Sequence, residues 1–146
     1  MKDSLSIRNG SIKDEDWLFQ LFRITMQDYI DKAWGWDELL QREGFISSLP
    51  APNFKILEVN GQKSGSFHLT EKDDHVIIDM ILVPPENQRQ GYGSHLMSQI
   101  KEIARQLDKP IKLSVLKSNP AISFHLHCGF SRFESDDHSI KMSYTS

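Results

Sequence analysis

Near the middle of the chain runs Val83-Pro84-Pro85-Glu86-Asn87-Gln88-Arg89-Gln90-Gly91-Tyr92-Gly93-Ser94, set between a strongly apolar stretch and an amphipathic one. That placement suits an anion. The first amides of a helix have no internal partners and carry partial positive charge, so a phosphate there gains hydrogen bonds and roughly 0.3 to 2 kcal/mol from the helix dipole. Glycines at 91 and 93 leave no side chain between ligand and backbone. A triphosphate loop would need lysine and a hydroxyl residue at the helix start, but the Gly-x-Lys-Ser run, Gly61 to Ser64, falls at a hairpin turn. A dinucleotide loop would need a third glycine three residues after Gly93, where Leu96 stands. An isolated Gly-x-Gly can also do no more than break a helix start.

Other residues with chemical potential lie on either side of this loop. Asp79 is a carboxylate inside an otherwise apolar strand, and strand alternation puts it on one side with Ile77, Ile81 and Val83. Such a group either exchanges protons with a ligand or is a core aspartate satisfied by amides or an arginine. His125, His127 and Cys128 invite a metal reading, but adjacent and alternate helix positions point in different directions and no paired cysteines complete a zinc site. No metal is expected. Cys128, just before Gly129, reads as packing rather than as a nucleophile.

These groups need elements to position them. Leu5 to Arg8 reads as a strand, and Asp14 can accept amides at the start of a helix whose apolar residues, Trp17 to Ile30, recur at three- and four-residue intervals until about Asp31. A second helix through Leu39 to Ile46 is closed by Pro50. Phe54 to Val59 and Gly65 to Thr70 form a hairpin about Asn60-Gly61, and a second turn at Lys72 to Asp74 leads into the apolar strand His75 to Val83. A helix from Gly91 to Asp108 follows, then a strand from Ile111 to Leu116 and a short helix from Pro120 to His127 that begins at Asn119. Phe130 to Phe133 and Ile140 to Tyr144 close the chain as strands, so one mixed sheet with helices on its faces is expected.

The bulk composition narrows the function. A length of 146 residues suits one domain, residues 1–146, and a formal charge of -3 offers no general attraction for nucleic acid or an anionic membrane. No run of about 18 apolar residues marks a membrane span, and one cysteine cannot form an internal disulfide, so a cytoplasmic protein is expected.

Two motifs carry a resemblance. Gln88-x-x-Gly91-x-Gly93 resembles the acyl-CoA loop of the GNAT superfamily of N-acetyltransferases, and Asn119-Pro120-Ala121 leading to Cys128-Gly129-Phe130 resembles that superfamily's second motif. The resemblance follows the element order of the whole chain, with its motifs within residues 79–130. It implies a single GNAT-like α/β (α+β) domain, with a mixed, mostly antiparallel sheet of about six or seven strands and about four helices. It also implies acetyl transfer from acetyl-CoA to a primary amine of a small molecule or peptide, by direct attack and without a metal, and it allows a homodimer. The alternative is a catalytically weak or inactive acyl-CoA-binding sensor or regulatory module.

Residue by residue, the resemblance implies that backbone amides of Arg89, Gln90, Gly91, Tyr92, Gly93 and Ser94, opened by Gln88, hold the pyrophosphate. Ile81, Leu82 and Val83 would run beside the pantetheine arm, Asn119 would face the cofactor from the other side, and a strand bulge would open the slot. The amine must lose a proton, since an alkyl amine with pKa near 10.4 is neutral in only about one molecule in two thousand at pH 7. Asp79 is the candidate base. Where many relatives place a tyrosine that meets the departing thiolate, this chain has His125, whose imidazolium could donate a proton. The first two helices and their connection would receive the amine, with Tyr29, Trp34, Trp36, Asp37 and Glu38 as candidates. Aromatic faces and carboxylates suit a cation, while the same tryptophans could instead be core and the acids solvated.

Overall fold

The computed structural model describes residues 3–146. Seven strands form one sheet: β1 (Leu5–Asn9), β2 (Phe54–Val59), β3 (Gln62–Glu71), β4 (Val76–Leu82), β5 (Ile111–Leu116), β6 (Ser131–Ser135) and β7 (Ser139–Tyr144). Their order is β1-β2-β3-β4-β5-β7-β6, antiparallel throughout except for the β4–β5 pair. Four helices, α1 (Glu15–Trp34), α2 (Glu38–Ser48), α3 (Tyr92–Leu107) and α4 (Ala121–His127), flank it. This is the mixed, mostly antiparallel sheet and the helix count expected from the sequence. No described helix is long and apolar enough to cross a membrane.

Each face of the sheet has its own core. Leu96, Met97, Ile100 and Ala104 of α3 pack with Val76, Ile78, Ile111 and Leu113, and α4 adds Ile122 and Phe124 at the margin. Opposite, Leu18, Phe19 and Phe22 of α1 and Phe45 of α2 pack on Phe54, Ile56, Leu82 and Leu116. The periodic apolar stripe of each helix thus faces the sheet.

Local signals explain most boundaries. Asn60 (φ 53°) and Gly61 (φ 82°) both take the left-handed conformation that a two-residue hairpin requires. The Asp37 carboxylate accepts the Leu40 amide at 3.0 Å and caps α2. α1 runs past Asp31 to Trp34, because Lys32 and Ala33 extend the helix without strain until Gly35 (φ 86°) ends it. Asp14 does not serve the helix amides as expected. Its buried carboxylate accepts two bonds from Arg8, one from Lys63 and one from the Ser11 amide, and the Arg8 guanidinium holds it well below the usual carboxylate range.

The feature that matters for function lies in β4. His68 pairs with Met80 while Leu69 pairs with Ile78, so Asp79 is one residue too many for its partner strand. This bulge reverses the alternation. Val76 and Ile78 face α3, and so do Ile81 and Val83 beyond the bulge, whereas Met80 and Leu82 face α1. The expected side for Asp79 is thereby corrected: it does not share a face with Ile81 and Val83 but lies with Met80 on the α1 side. Parallel pairing of β4 with β5 stops at Ile78↔Leu113, where the two strands part.

Candidate functional site

The loop before α3 is built to present amides. Backbone bonds occupy the amides of Asn87 and Gln88, and His95 resumes with a bond to Gly91, so the amides between them find no backbone acceptor among the described residues. Arg89 (φ 63°) and Gly91 (φ 84°) are both left-handed, which turns successive amides toward one side. The two glycines do different work. At Gly91 an added Cβ would meet open space, and only the positive φ demands glycine, whereas at Gly93 a Cβ would lie 3.4 Å from the Phe124 ring where α3 and α4 approach. The Gln88 side chain fixes the loop by donating to the Val83 carbonyl at 3.0 Å, and Gln90 does the same to Glu86 at 3.1 Å.

A cavity of about 540 Å³ leads from this loop along the end of β4. Ile81, Leu82, Val83, Gln88, Arg89, Gly91, Gly93, Ser94 and Asn119 line it, as do Tyr29 and His125, so most of the expected cofactor residues share one slot. Gln90 and Tyr92 do not line it. Gln90 turns back to Glu86, and the Tyr92 ring is buried in the α3 core with its hydroxyl donating to Asp3, which leaves only its amide for a ligand. Where β4 leaves β5, the free edge of β4 offers amides and carbonyls to the slot in place of a strand.

A second cavity, of about 290 Å³, continues inward beneath α1 between the parted strands. The two meet at Met26, Ile81, Leu82, Asn119, Ala121 and His125. Asp79 lines the inner cavity. Its Oδ2 accepts bonds from Thr70 Oγ1 at 2.6 Å and lies 2.8 Å from His68 Nδ1, and His68 is itself fixed edge-on to Phe54 at 5.0 Å. Both partners use the same carboxylate oxygen, which leaves Oδ1 unengaged among the described residues. His68 and Thr70 were not anticipated. Their alternate positions on one strand place them on one face, but their meeting with Asp79 depends on the bulge.

His125 stands at the junction of the cavities, 5% exposed, between the rings of Phe124 and Phe130, and its Nδ1 has no partner. Burial pushes its imidazole down to about 4, so the neutral ring, not the expected imidazolium, is the form at pH 7. A neutral ring can still donate one N–H hydrogen bond. Asn119 caps α4 by accepting the Ala121 amide at 2.9 Å and turns its Nδ2 toward Met26 Sδ at 3.8 Å.

The acceptor candidates separate. Trp34 lines the inner cavity at its mouth, 61% exposed and edge-on to His138 at 5.3 Å, whereas Tyr29 lines the outer slot. Trp36 and Glu38 line neither. The Trp36 ring packs on Phe22 at 5.9 Å and its Nε1 donates to Glu38 at 3.0 Å, so the capped start of α2 holds both away from the cavities. Asp37 is spent on the α2 cap. No group of metal-ligating side chains occurs among the described residues.

Comparison with known proteins agrees with this fold. The sequence model of the acetyltransferase (GNAT) family matches residues 16–130. No curated protein matches the chain by sequence. Among solved structures, the PaiA N-acetyltransferase from Thermoplasma acidophilum, in complex with coenzyme A, superposes with a TM-score of 0.80 at 17% identity, over 98% of this chain and 99% of that one. The ribosomal-protein-S18-alanine N-acetyltransferase from Escherichia coli gives 0.73 at 20% identity, over 96% and 92%. Arabidopsis thaliana Naa50, bound to the bisubstrate analogue CoA-Ac-MVNAL, gives 0.70 at 17%, over 98% and 99%. At these identities the likeness is one of fold.

Proposed function

The chain belongs to the acetyltransferase (GNAT) family, and from that premise we propose that it moves an acetyl group from acetyl-CoA to a primary amine of a small molecule or peptide, by direct attack in a ternary complex. The observation that carries this reading is the continuity of the two cavities: a slot begins at unpaired amides before α3, follows the free edge of β4, and opens onto a carboxylate. Structural neighbours bound to coenzyme A or to a CoA-peptide analogue support it.

In this reading the amides of Arg89 to Ser94 take the pyrophosphate, and Ile81 to Val83 take the pantetheine arm through backbone groups. The thioester then lies where the cavities meet. The amine nitrogen attacks the acetyl carbon, an N–H of Leu82 or Val83 meets the oxyanion, and such a donor contributes about 3 kcal/mol. A C–N bond forms, the C–S bond breaks, and the amine proton passes to Asp79 directly or through water. Asp79 suits the task because His68 and Thr70 hold one oxygen and leave the other for the proton. His125 stands beside the departing sulfur and, being neutral, offers it an N–H bond. The single free cysteine fits a cytosolic enzyme.

His125 also favours a second reading, an acyl-CoA-binding module with little or no transfer, because a buried neutral imidazole is a poor proton donor. Calorimetric titration with acetyl-CoA, paired with turnover across an amine panel, separates the two. Saturable binding should weaken roughly tenfold in Arg89→Glu, an exposed position facing the slot. Binding without turnover of any amine favours the module, and no binding at all removes both readings.

A further inference from the structure

The inner cavity carries a charge pattern that narrows the acceptor. Asp79 is the sole charged side chain among its lining residues, and His125, which also lines it, is kept neutral by burial. Phe22, Ile30, Met80 and Leu116 are among the apolar residues of its wall, Ser114, Asn119 and Ser139 are the uncharged polar ones, and Trp34 stands at the mouth. Neither a lysine nor an arginine reaches it. Resting on the acetyltransferase reading above, we propose that the acceptor is a primary monoamine with a compact apolar body, on the scale of a phenylalkylamine, and with no carboxylate, phosphate or second ammonium.

The physics runs through desolvation. An amine arrives as an ammonium; one carboxylate draws it in and takes one of its protons, and the second proton lost on forming the amide ends on the departing sulfur as the free thiol. A free amino acid brings a carboxylate two bonds from its nitrogen, which would be pressed against the apolar wall without a cation, and burying an unpaired charge is strongly unfavourable. A polyamine has the mirror problem, because its second ammonium would find no second acid. Size gives a further bound. At about 290 Å³ the cavity has room for a ring with a short tail. The Trp34 indole, exposed and set edge-on to His138, is placed to cover that ring.

The test is a panel of acceptors assayed with acetyl-CoA at saturation. 2-Phenylethylamine should exceed phenylalanine, spermidine and the side chain of an Nα-acetyl-lysine amide in kcat/KM by on the order of a hundredfold. A peptide beginning with phenylalanine forms a separate arm: its failure supports a compact free amine, whereas a match with 2-phenylethylamine overturns the compact body in favour of the first residue of a chain. Trp34→Ala should raise the KM for 2-phenylethylamine roughly tenfold while leaving that for methylamine unchanged. Ser139→Arg, which brings a cation to the cavity mouth, should narrow the gap between 2-phenylethylamine and phenylalanine. Preference for phenylalanine, spermidine or lysine in the unaltered protein overturns the inference while leaving acetyl transfer standing. Failure of every amine in a protein that binds acetyl-CoA removes transfer itself, and this inference with it.

Discussion

The outer slot and the inner cavity meet at Met26, Leu82 and His125, yet they are made from different parts of the chain. The slot is largely backbone: amides at a helix start, two left-handed residues, and the free edge of a strand that has left its neighbour. The inner cavity is made of side chains, with one acid held by two neighbours and apolar walls drawn from α1, β4 and β5. A backbone site tolerates almost any sequence that keeps its conformation, so it can be shared among distant relatives. A side-chain site changes with each substitution, and so it is where specificity resides. The two regions should therefore respond separately to mutation.

Asp79→Asn is the strongest test of that separation. Asparagine keeps the shape and still accepts from Thr70, but it cannot take a proton. Turnover should fall by about 10²- to 10⁴-fold, the usual reach of a positioned base, with acetyl-CoA affinity within about twofold of the original. Single-turnover kinetics beside calorimetry would read both. An unimpaired rate would remove Asp79 from the mechanism, and a large loss of acetyl-CoA affinity would show that slot and cavity are one unit.

The seam between the regions makes the next largest prediction. Because burial lowers His125 in the folded protein to about 4 from an ordinary value of 6.5, the unfolded chain binds a proton that the folded one refuses. The stability that follows from this is intact above about pH 6.5 and is lost as pH falls toward 4. By linkage the loss is on the order of 3 kcal/mol. His125→Phe, flanked by the rings of Phe124 and Phe130, should flatten this part of the acid limb. Denaturant unfolding at pH 7.5 and pH 4.5 measures it, and equal pH slopes in the two proteins would show that His125 titrates as freely as in an open chain.

The same division decides what could be read from the sequence. Hairpin chemistry at Asn60-Gly61, the stripe of α3 and the Gly91-x-Gly93 spacing are local signals, and the seven strands and four helices followed from signals of that kind, whereas the slot was only what the family resemblance implied. The bulge at Asp79 is not local. Ile77, Ile78, Met80, Ile81 and Leu82 are apolar in both parities, so no alternation marks where the register slips, and the face of Asp79 was misread. His68 and Thr70 were missed for the same reason, since their link to Asp79 exists only after β3 and β4 pair with one residue to spare. Trp36 and Glu38 lie outside both cavities for a different reason. Their residue types suit a cationic amine, but an indole beside a phenylalanine cluster is drawn into that cluster, and its N–H then takes the nearest acid.

That last point gives the smallest expected effect. Glu38→Ala removes a carboxylate two residues from Trp36 at the exposed start of α2, where its partners are the Trp36 Nε1 at 3.0 Å and, more loosely, Arg23 at 3.9 Å. Exposed pairs of this kind contribute about 0 to 1 kcal/mol, so stability should barely move. The amine KM should change less than about twofold, because neither cavity is lined by residue 38. Trp34, only four positions earlier, is the contrast: it ends α1 at the cavity mouth, and its truncation should be felt by the amine. A comparison of the two KM values then locates the acceptor. If Glu38→Ala weakens the amine as much as Trp34→Ala does, the amine extends over the start of α2 and the inner cavity holds only part of it.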